Sequence, residues 1–244
     1  MILCLDAGNS RLKWGMADAA GWRAQGALEW AQLAGLESGL ATYRPQAAFL
    51  ASVVDKEKEA ALLDALGGLP THFLNSAEAA GGVQNGYARP ATLGIDRWCS
   101  LIGARALESR PCLVVTAGTA TTLDALDGEG RFLGGMILPG VAMMQAALAE
   151  GTARLPLIPE ENSLPAGSAF PTDTASAIAA GCLEASAGAI ERAFARLPEA
   201  AVCLLSGGAA PLLAPLLSRL PLRLTPQLAL EGVRRLALQY GETR

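Results

Sequence analysis

The sequence is poor in the residues on which many catalytic and metal sites depend. It has one histidine, His72, and three lysines among its 244 residues. A single histidine excludes multi-histidine metal sites, and a Ser-His-Asp or Cys-His triad would have to use His72 as its base. No basic run occurs, and 19 Lys and Arg stand against 23 Asp and Glu. Because phosphate neutralisation requires clustered positive charge, we expect no nucleic-acid partner.

Cysteine pairs and membrane-type segments are also missing. The five cysteines form no Cys-x-x-Cys motif and their number is odd. No disulfide framework or zinc ribbon is therefore predicted, and a reducing cytoplasm is the expected location. The N-terminus has no basic stretch and is charged already at Asp6, so we expect no signal peptide. Two uncharged stretches, residues 132–149 and 200–218, contain clustered Gly and Pro, which favours strand–turn–helix units over membrane spans.

The chain is 51% hydrophobic, and its pattern of apolar runs and turns starts twice. Apolar runs at residues 2–5 and 12–17 flank a polar turn and predict a β-hairpin. Residues 112–115 and 122–126 flank a second such turn, and a shift of 110 places Ala7 on Ala117 and Gly8 on Gly118. The repetition predicts a duplicated α/β chain with domains at residues 1–112 and 113–244.

Further elements are predicted from periodicity and capping residues. Strands are expected at residues 47–53 and 201–205. Helices are expected at residues 26–40, 55–66 with Asp55 as N-cap, 94–110, 174–197, 209–219 and 228–240.

Three turns of small residues, at 6–10, 116–119 and 206–208, are the main chemical feature. Small side chains let backbone N–H groups close on an anion, and hydroxyls or amides add donors. Neither a P-loop motif nor a GxGxxG motif occurs, so a nucleotide would be bound by another route. Each turn taken singly is also an ordinary hairpin or strand exit.

Lys13 follows the first turn and has two open interpretations. It could bind a phosphate, or its stem could pack on a strand while the ammonium reaches solvent. Ser10 and Lys13 match the Ser-x-x-Lys pattern of acyl-enzymes, but no Ser-Asp-Asn or Lys-Thr-Gly accompanies them, which argues against that chemistry. Lys56 and Lys58 are expected on a charged, solvated helix face.

Residues 93–98, with the sequence LGIDRW, combine a glycine with a base and a cation at a helix start. Asp96 could accept a proton, and Arg97 could bind a carboxylate through two hydrogen bonds. The alternative is a helix N-terminal carboxylate favoured by the macrodipole, beside a surface arginine.

Taken in order, these motifs resemble the type III pantothenate kinases, a family of the acetate and sugar kinase/Hsp70/actin superfamily. The resemblance extends over nearly the whole chain. The matching segments are residues 6–14, Tyr87 with 93–98, 118–122, 134–135 with 139–140, Thr174 with 177–178 and Gly181, and 207–208.

The resemblance implies an α/β fold of two duplicated RNase H-like (actin-like ATPase) domains, with the active site in the cleft between them. It implies the reaction of pantothenate with ATP to give 4′-phosphopantothenate and ADP, the first step of coenzyme A biosynthesis. A homodimer with no nucleic-acid or membrane partner is expected.

Residue by residue, the resemblance assigns Asp96 as the general base. The implied pantothenate contacts are Tyr87, Gly94, Ile95, Asp96, Arg97 and Thr174. The implied ATP contacts are Asp6, Ala7, Gly8, Asn9, Ser10, Arg11, Leu12, Lys13 and Thr119.

The resemblance also implies two kinds of cation. Asp6 would hold Mg²⁺, directly or through water. Thr116 stands where the family often has an aspartate that binds K⁺ or NH₄⁺. Because a hydroxyl is a weaker ligand than a carboxylate, we expect weak activation by these ions.

Two rival functions remain open from the sequence. One is a non-catalytic regulatory accessory factor on the same fold, and the other is a superfamily kinase for a sugar or acetate. Asp96 and Arg97 together favour a hydroxy-carboxylate over a neutral sugar.

Overall fold

The computed structural model describes residues 1–151 and 170–242. They form two compact units, which we call unit 1 and unit 2. Unit 1 comprises Met1–Ser109, Glu129–Phe132 and Gln227–Arg244, and unit 2 comprises Arg110–Gly128 and Leu133–Pro226. Within the described ranges, no helix is both long enough and apolar enough to cross a bilayer.

The strands and helices are numbered in chain order. The strands are β1 (Ile2–Ala7), β2 (Arg11–Asp18), β3 (Gly21–Glu29), β4 (Ala48–Ser52), β5 (Thr71–Phe73), β6 (Ala79–Ala80), β7 (Val83–Gln84), β8 (Cys112–Ala117), β9 (Ala120–Leu126), β10 (Phe132–Pro139), β11 (Val202–Ser206) and β12 (Leu222–Leu224). The helices are α1 (Gly35–Tyr43), α2 (Lys56–Ala65), α3 (Ile95–Leu107), α4 (Val141–Gly151), α5 (Thr174–Phe194), α6 (Ala210–Leu213) and α7 (Leu228–Glu242).

Each unit contains a five-stranded mixed sheet with the same strand order. The first sheet has the order β3-β2-β1-β4-β5 and the second β10-β9-β8-β11-β12. In the first sheet, β1 pairs antiparallel with β2 and parallel with β4. In the second sheet, β8 pairs in the same way, antiparallel with β9 and parallel with β11. The structure thus confirms the predicted duplication, since β1 and β8 are related by the shift of 110.

The predicted helix at residues 26–40 is wrong over residues 26–29, and the α-helix observed in this region, α1, begins only at Gly35. Residues up to Glu29 belong to β3, which pairs antiparallel with β2. Gly26 lies opposite Trp14, whose indole ring covers the glycine. An aromatic ring across from a strand glycine replaces the packing that the glycine lacks, and this pairing is not visible in the local sequence.

Most of the other predicted elements are confirmed. Asp55 caps α2, where its carboxylate accepts a hydrogen bond from the backbone N–H of Lys58 at 2.9 Å, as expected for an N-cap aspartate. The predicted helix at 209–219 is regular only over α6. Pro211 lies in the first turn of α6, where proline is tolerated, whereas Pro215 follows the helix and has no N–H to continue its hydrogen bonds. The glycine pair Gly134 and Gly135 lies inside β10.

The last helix, α7, packs on α3 in unit 1. Glycines at the crossing allow the approach, because a Cβ on Gly232 would overlap the carbonyl oxygen of Cys99. Glu231 fixes the helix further by accepting hydrogen bonds from Trp22 Nε1 at 3.0 Å and from Arg234. The domain boundary at 112/113 stays a prediction. Residues 227–244, at the end of the chain, belong to unit 1 together with the N-terminal residues.

Candidate active site

The first turn of unit 1 places a carboxylate and an ammonium together. Asp6, near the end of β1, is 3% exposed and lies opposite Lys13 across the hairpin. Lys13 Nζ donates to Asp6 Oδ2 at 2.9 Å. The structure therefore gives Lys13 a specific ion pair, which neither sequence interpretation included.

The rest of this turn divides into buried and exposed residues. The side chains of Ala7 and Leu12 are buried completely, so only their backbones are able to contact a ligand. Asn9 and Ser10 are exposed, and the Gly8 N–H closes the turn on the Arg11 carbonyl oxygen at 3.2 Å. Arg11 itself lies 3.8 Å from Glu29, with both side chains largely exposed.

Two side chains outside the turn hold its carbonyl groups. Trp30 Nε1 donates to the Gly8 carbonyl oxygen at 3.0 Å, and Lys58 Nζ donates to the Asn9 carbonyl oxygen at 2.9 Å. The Lys58 ammonium also lies 5.6 Å from the centre of the Trp30 ring. Lys58 is half-exposed and has a specific contact that the sequence did not predict, whereas Lys56 is exposed as expected.

Asp96 lies in the first turn of α3, with Gly94 at the N-cap position. Burial raises the pKa of its carboxyl above the usual 3.8, and the nearby negative charge of Asp6 adds to the rise. A hydrogen bond from the backbone N–H of Arg97 opposes it. A carboxyl with a raised pKa is a better proton acceptor once it is ionised.

Arg97 follows Asp96 and is held by two aromatic rings. It is 6% exposed and donates from Nη1 to the Tyr87 hydroxyl oxygen at 2.7 Å. Its guanidinium carbon lies 5.6 Å from the centre of the Tyr87 ring and 5.8 Å from that of Phe132. The two rings stack at 5.5 Å and 24°. Sequence reasoning missed Phe132, because only this long-range stacking distinguishes it from a core residue.

Ile95 is buried beside these groups, so its predicted substrate contact is limited to the backbone. Cys99, one helical turn after Asp96, is fully buried. Burial and then the charges of Asp6 and Asp96 raise the pKa of its thiol well above 9.0. The thiol is therefore protonated at neutral pH and is not a nucleophile.

The second turn, in unit 2, is built from backbone and hydroxyl groups. The Gly118 N–H donates to the Ala120 carbonyl oxygen at 3.0 Å, and the Gly140 N–H donates to the Thr119 carbonyl oxygen at 3.0 Å. Thr116 Oγ1 is buried and has no hydrogen-bond partner among the described residues. A buried hydroxyl without a partner is costly, so this position is suited to an additional ligand.

The third turn packs directly on the second. Gly207 has φ +100°, and a Cβ there would overlap the Ala117 carbonyl oxygen. The same oxygen accepts from the Ala209 N–H at 3.1 Å. Glycine is required at this position because the backbones touch and φ is positive.

The remaining predicted site residue, Thr174, also belongs to unit 2. It is the first residue of α5 and is exposed. Asp173 caps this helix by accepting from the Ser176 N–H at 2.9 Å. In the described part of the chain, no three His, Cys, Asp or Glu side chains are grouped as a metal site.

A protein-family model described as type III pantothenate kinase matches residues 2–196. The chain belongs to this family. Among curated type III pantothenate kinases, that of Azoarcus sp. (strain BH72) is 45% identical over 240 residues, covering 96% of this chain and 89% of the relative. That of Aromatoleum aromaticum is 47% identical, covering 96% of each chain.

The family assignment agrees with a similarity of fold to more distant structures. The activator of the 2-hydroxyisocaproyl-CoA dehydratase from Clostridium difficile, solved with bound ADPNP, aligns with a TM-score of 0.57. The alignment covers 99% of this chain and 96% of that one at 13% identity, so it concerns the fold alone. With the repeated strand order, it confirms the duplicated actin-like α/β fold.

Proposed function

We propose that this protein phosphorylates pantothenate with ATP, giving 4′-phosphopantothenate and ADP in coenzyme A biosynthesis. The observation that carries the proposal is the position of Asp96, a half-buried carboxyl of raised pKa, next to the buried guanidinium of Arg97, which contacts the Tyr87 hydroxyl and ring. A pantothenate kinase requires a base for the substrate hydroxyl and a cation for its carboxylate. Family membership supplies the substrate class.

In the proposed reaction, Asp96 accepts the proton of the 4′-hydroxyl. The hydroxyl oxygen then forms a bond to the γ-phosphorus, and the bond from that phosphorus to the β–γ bridging oxygen breaks to release ADP. Phosphoryl transfer depends mainly on positioning and on charge stabilisation. A single aspartate base is therefore sufficient, and the lack of further histidines is no obstacle.

Arg97 is proposed to bind the pantothenate carboxylate. Its guanidinium is planar and permanently charged, so it matches a carboxylate through two hydrogen bonds. The Tyr87 hydroxyl and the Phe132 ring restrict the guanidinium before substrate arrives. Preorganisation of this kind lowers the entropy cost of binding. Gly94, Ile95 and Thr174 remain proposed pantothenate contacts.

The turn at Asp6–Lys13 is proposed to bind ATP phosphates, and Thr119 is a further proposed ATP contact. Asp6 supplies carboxylate oxygens of the type that Mg²⁺ prefers, and its burial at a strand end fits a fixed ligand. When bound, Mg²⁺ neutralises charge that develops on the phosphates. Lys13 holds Asp6 through Oδ2 and contributes a positive charge at the same place.

The monovalent-cation position is proposed to be weak in this chain. Thr116 Oγ1 is buried and finds no hydrogen-bond partner in residues 1–151 and 170–242, which fits an oxygen ligand for K⁺ or NH₄⁺. It carries no formal charge, however, so its attraction for a cation is smaller than that of an aspartate.

A homodimer in the cytoplasm is also part of the proposal. β10 is an edge strand of the second sheet, and its side chains Leu133 and Ile137 are 60% and 63% exposed. Exposed apolar side chains on an edge strand favour pairing with another chain, and a second copy is the partner that the family resemblance implies. All five cysteines are buried thiols, which suits a reducing compartment.

The comparisons favour neither rival function. An accessory regulator would not require Asp96 beside a buried Arg97, and a neutral sugar offers no carboxylate for the Arg97 guanidinium to bind. These two expectations are separable in one assay.

The test is ADP release from ATP in the presence of pantothenate, glucose, acetate or no acceptor. We expect ADP only with pantothenate, and loss of that signal in Asp96→Asn. Equal release with glucose or acetate, or no release with any acceptor from folded protein, would contradict the proposed function. The folded state is checked by thermal unfolding of the same sample.

A further inference from the structure

We propose that Trp30 and Lys58 are positioning residues for the ATP phosphates. They act through the segment Gly8–Asn9–Ser10, which we call the phosphate turn. The inference rests on the proposed binding of ATP at this turn. It concerns two side chains outside the family-like motif, which the sequence analysis left without a role.

The contacts are specific and consecutive along the backbone. The Trp30 indole N–H holds the Gly8 carbonyl oxygen at 3.0 Å, and the Lys58 ammonium holds the next carbonyl oxygen, that of Asn9, at 2.9 Å. Lys58 also contacts the face of the Trp30 ring at 5.6 Å from its centre. The two donors therefore support each other, since a cation over an indole face is attracted to it.

These contacts fix the direction of two peptide groups. A trans peptide is planar, and its N–H points opposite to its C=O. With the Gly8 and Asn9 carbonyl oxygens drawn towards Trp30 and Lys58, the N–H groups of Asn9 and Ser10 are directed away from them. Successive N–H groups pointing the same way form an anion-binding concavity.

The electrostatic consequence favours an anion on the N–H side. A carbonyl oxygen turned towards a phosphate would repel it, whereas an N–H group attracts it. Trp30 and Lys58 provide hydrogen bonds to the carbonyl groups, and so stabilise the arrangement before ATP binds. Preorganised donors bind a ligand without the cost of reorienting them.

Unit 2 solves the same problem by a different means. There, the Thr119 carbonyl oxygen accepts from the backbone N–H of Gly140 at 3.0 Å. In both units, a carbonyl oxygen of the predicted phosphate-binding turn accepts a hydrogen bond from a residue outside that turn. The donors are side chains in unit 1 and a backbone N–H in unit 2. The recurrence argues that the carbonyl contacts serve the turns, and that Trp30 and Lys58 are more than surface packing.

The experiment measures the Kd of a non-hydrolysable ATP analogue by calorimetry, with KM for ATP and for pantothenate. The variants are Trp30→Phe, which removes the indole N–H and keeps a smaller aromatic ring, Lys58→Ala, and Lys58→Arg, which retains a donor. Lys56→Ala is the matched control, because Lys56 is exposed on the same helix. Thermal unfolding of each variant monitors the fold.

We expect Trp30→Phe and Lys58→Ala each to weaken analogue binding about twofold to tenfold, the scale of one hydrogen bond. KM for ATP should rise in parallel, and KM for pantothenate should not change. Lys58→Arg should restore most of the affinity, and Lys56→Ala should match the wild type.

Unchanged analogue affinity in Trp30→Phe would overturn the inference. If Lys58→Ala alone then weakened binding, Lys58 would be a direct phosphate ligand rather than a positioning residue. Asp6→Asn separates these outcomes from failure of the proposed ATP site. If Asp6→Asn and both positioning variants all bind the analogue normally, ATP does not bind at this turn.

Discussion

Units 1 and 2 share a strand order but differ in what their first hairpins carry. In unit 1, Asp6 lies opposite Lys13 across β1 and β2, and the two form an ion pair. In unit 2, the equivalent register places Thr116 opposite Thr122. A charged pair in one copy therefore corresponds to two hydroxyls in the other. Duplication preserved the scaffold, whereas the chemistry became asymmetric.

The two turns also differ in length and in the groups that bind their carbonyl oxygens. The first spans four residues between Ala7 and Leu12, and the second spans three between Ala117 and Thr121. Side chains hold the carbonyl groups of the first turn, whereas backbone groups hold those of the second. Unit 1 thus depends on side-chain identity, and unit 2 depends on glycines that permit close backbone approach.

The largest effect is expected for the base in unit 1. Asp96→Asn keeps the shape of the side chain and removes the proton acceptor, so kcat should fall by at least about 10²-fold. Binding of an ATP analogue should be unchanged. The measurement is steady-state turnover with pantothenate, together with calorimetry of the analogue.

The control for this variant is Asp64→Asn, an exposed aspartate on α2 in the same unit. It should retain wild-type turnover. Near-normal kcat in Asp96→Asn would remove Asp96 from the proton step and would leave unit 1 without a base.

The next effect concerns the cation beside it. Arg97→Ala loses a charged hydrogen-bonding partner, and KM for pantothenate should rise about tenfold to a hundredfold. KM for ATP should change little. A pantothenate analogue that lacks the carboxylate should be a poor substrate for the wild type, and equal use of both compounds would refute the carboxylate contact.

In unit 2, substitution of a glycine should have the corresponding effect, on the free energy of unfolding. Gly207→Ala introduces a Cβ against the Ala117 carbonyl group at positive φ. The free energy of unfolding should fall by about 1–3 kcal/mol. Gly208→Ala is the matched control, because a Cβ there meets nothing within 4 Å. Urea denaturation measures both, and equal stability of the two variants would show that the close approach is unimportant.

A smaller effect with a defined sign concerns stability and pH. Because the folded-state pKa of Asp96 is raised above 3.8, the folded protein binds this proton more tightly than the unfolded chain. Stability from this group is present below about pH 4 and is lost as pH rises through the folded pKa. Asp96→Asn should therefore be more stable than the wild type at neutral pH and not at low pH. Thermal unfolding at several pH values tests this, and an equal difference throughout would disagree with it.

The smallest effect is expected on activation by K⁺, when a carboxylate is introduced in unit 2. Thr116→Asp adds a carboxylate at the proposed cation position. Two charges 4 Å apart attract by about 1 kcal/mol in water and by more in a buried site, so half-maximal activation by K⁺ should shift lower by about fivefold or more. K⁺ titrations in Tris buffer would measure both turnover and thermal stabilisation. Steep activation of the wild type at low K⁺ would show that other oxygens already complete the site.

Much of the fold was predictable because its signals are local. The capping role of Asp55 and the apolar runs of β1, β4 and β8 follow from neighbouring residues alone. The β3 strand was not predictable in this way, since it depends on Trp14 covering Gly26 across the hairpin. The position of α7 was likewise hidden, because it depends on contacts of Gly232 with a helix far away in sequence.

The candidate site shows the same division. Asp96 and Arg97 were found because the base and the cation are adjacent in one motif. Phe132 and Trp30 were not, since each contacts the site residues only after the chain has folded. Lys58 was predicted to be solvated because its neighbours in sequence are charged. Those neighbours carry no information about its contact with Asn9.

The most direct test of the asymmetry is the pH dependence of kcat in the wild type and in Asp96→Asn. If unit 1 supplies the base, wild-type kcat should fall at acid pH with one apparent pKa above 3.8, because a protonated Asp96 is unable to accept the substrate proton. The residual activity of Asp96→Asn should lack this fall. An identical acid limb in both proteins would place the base elsewhere and contradict the account.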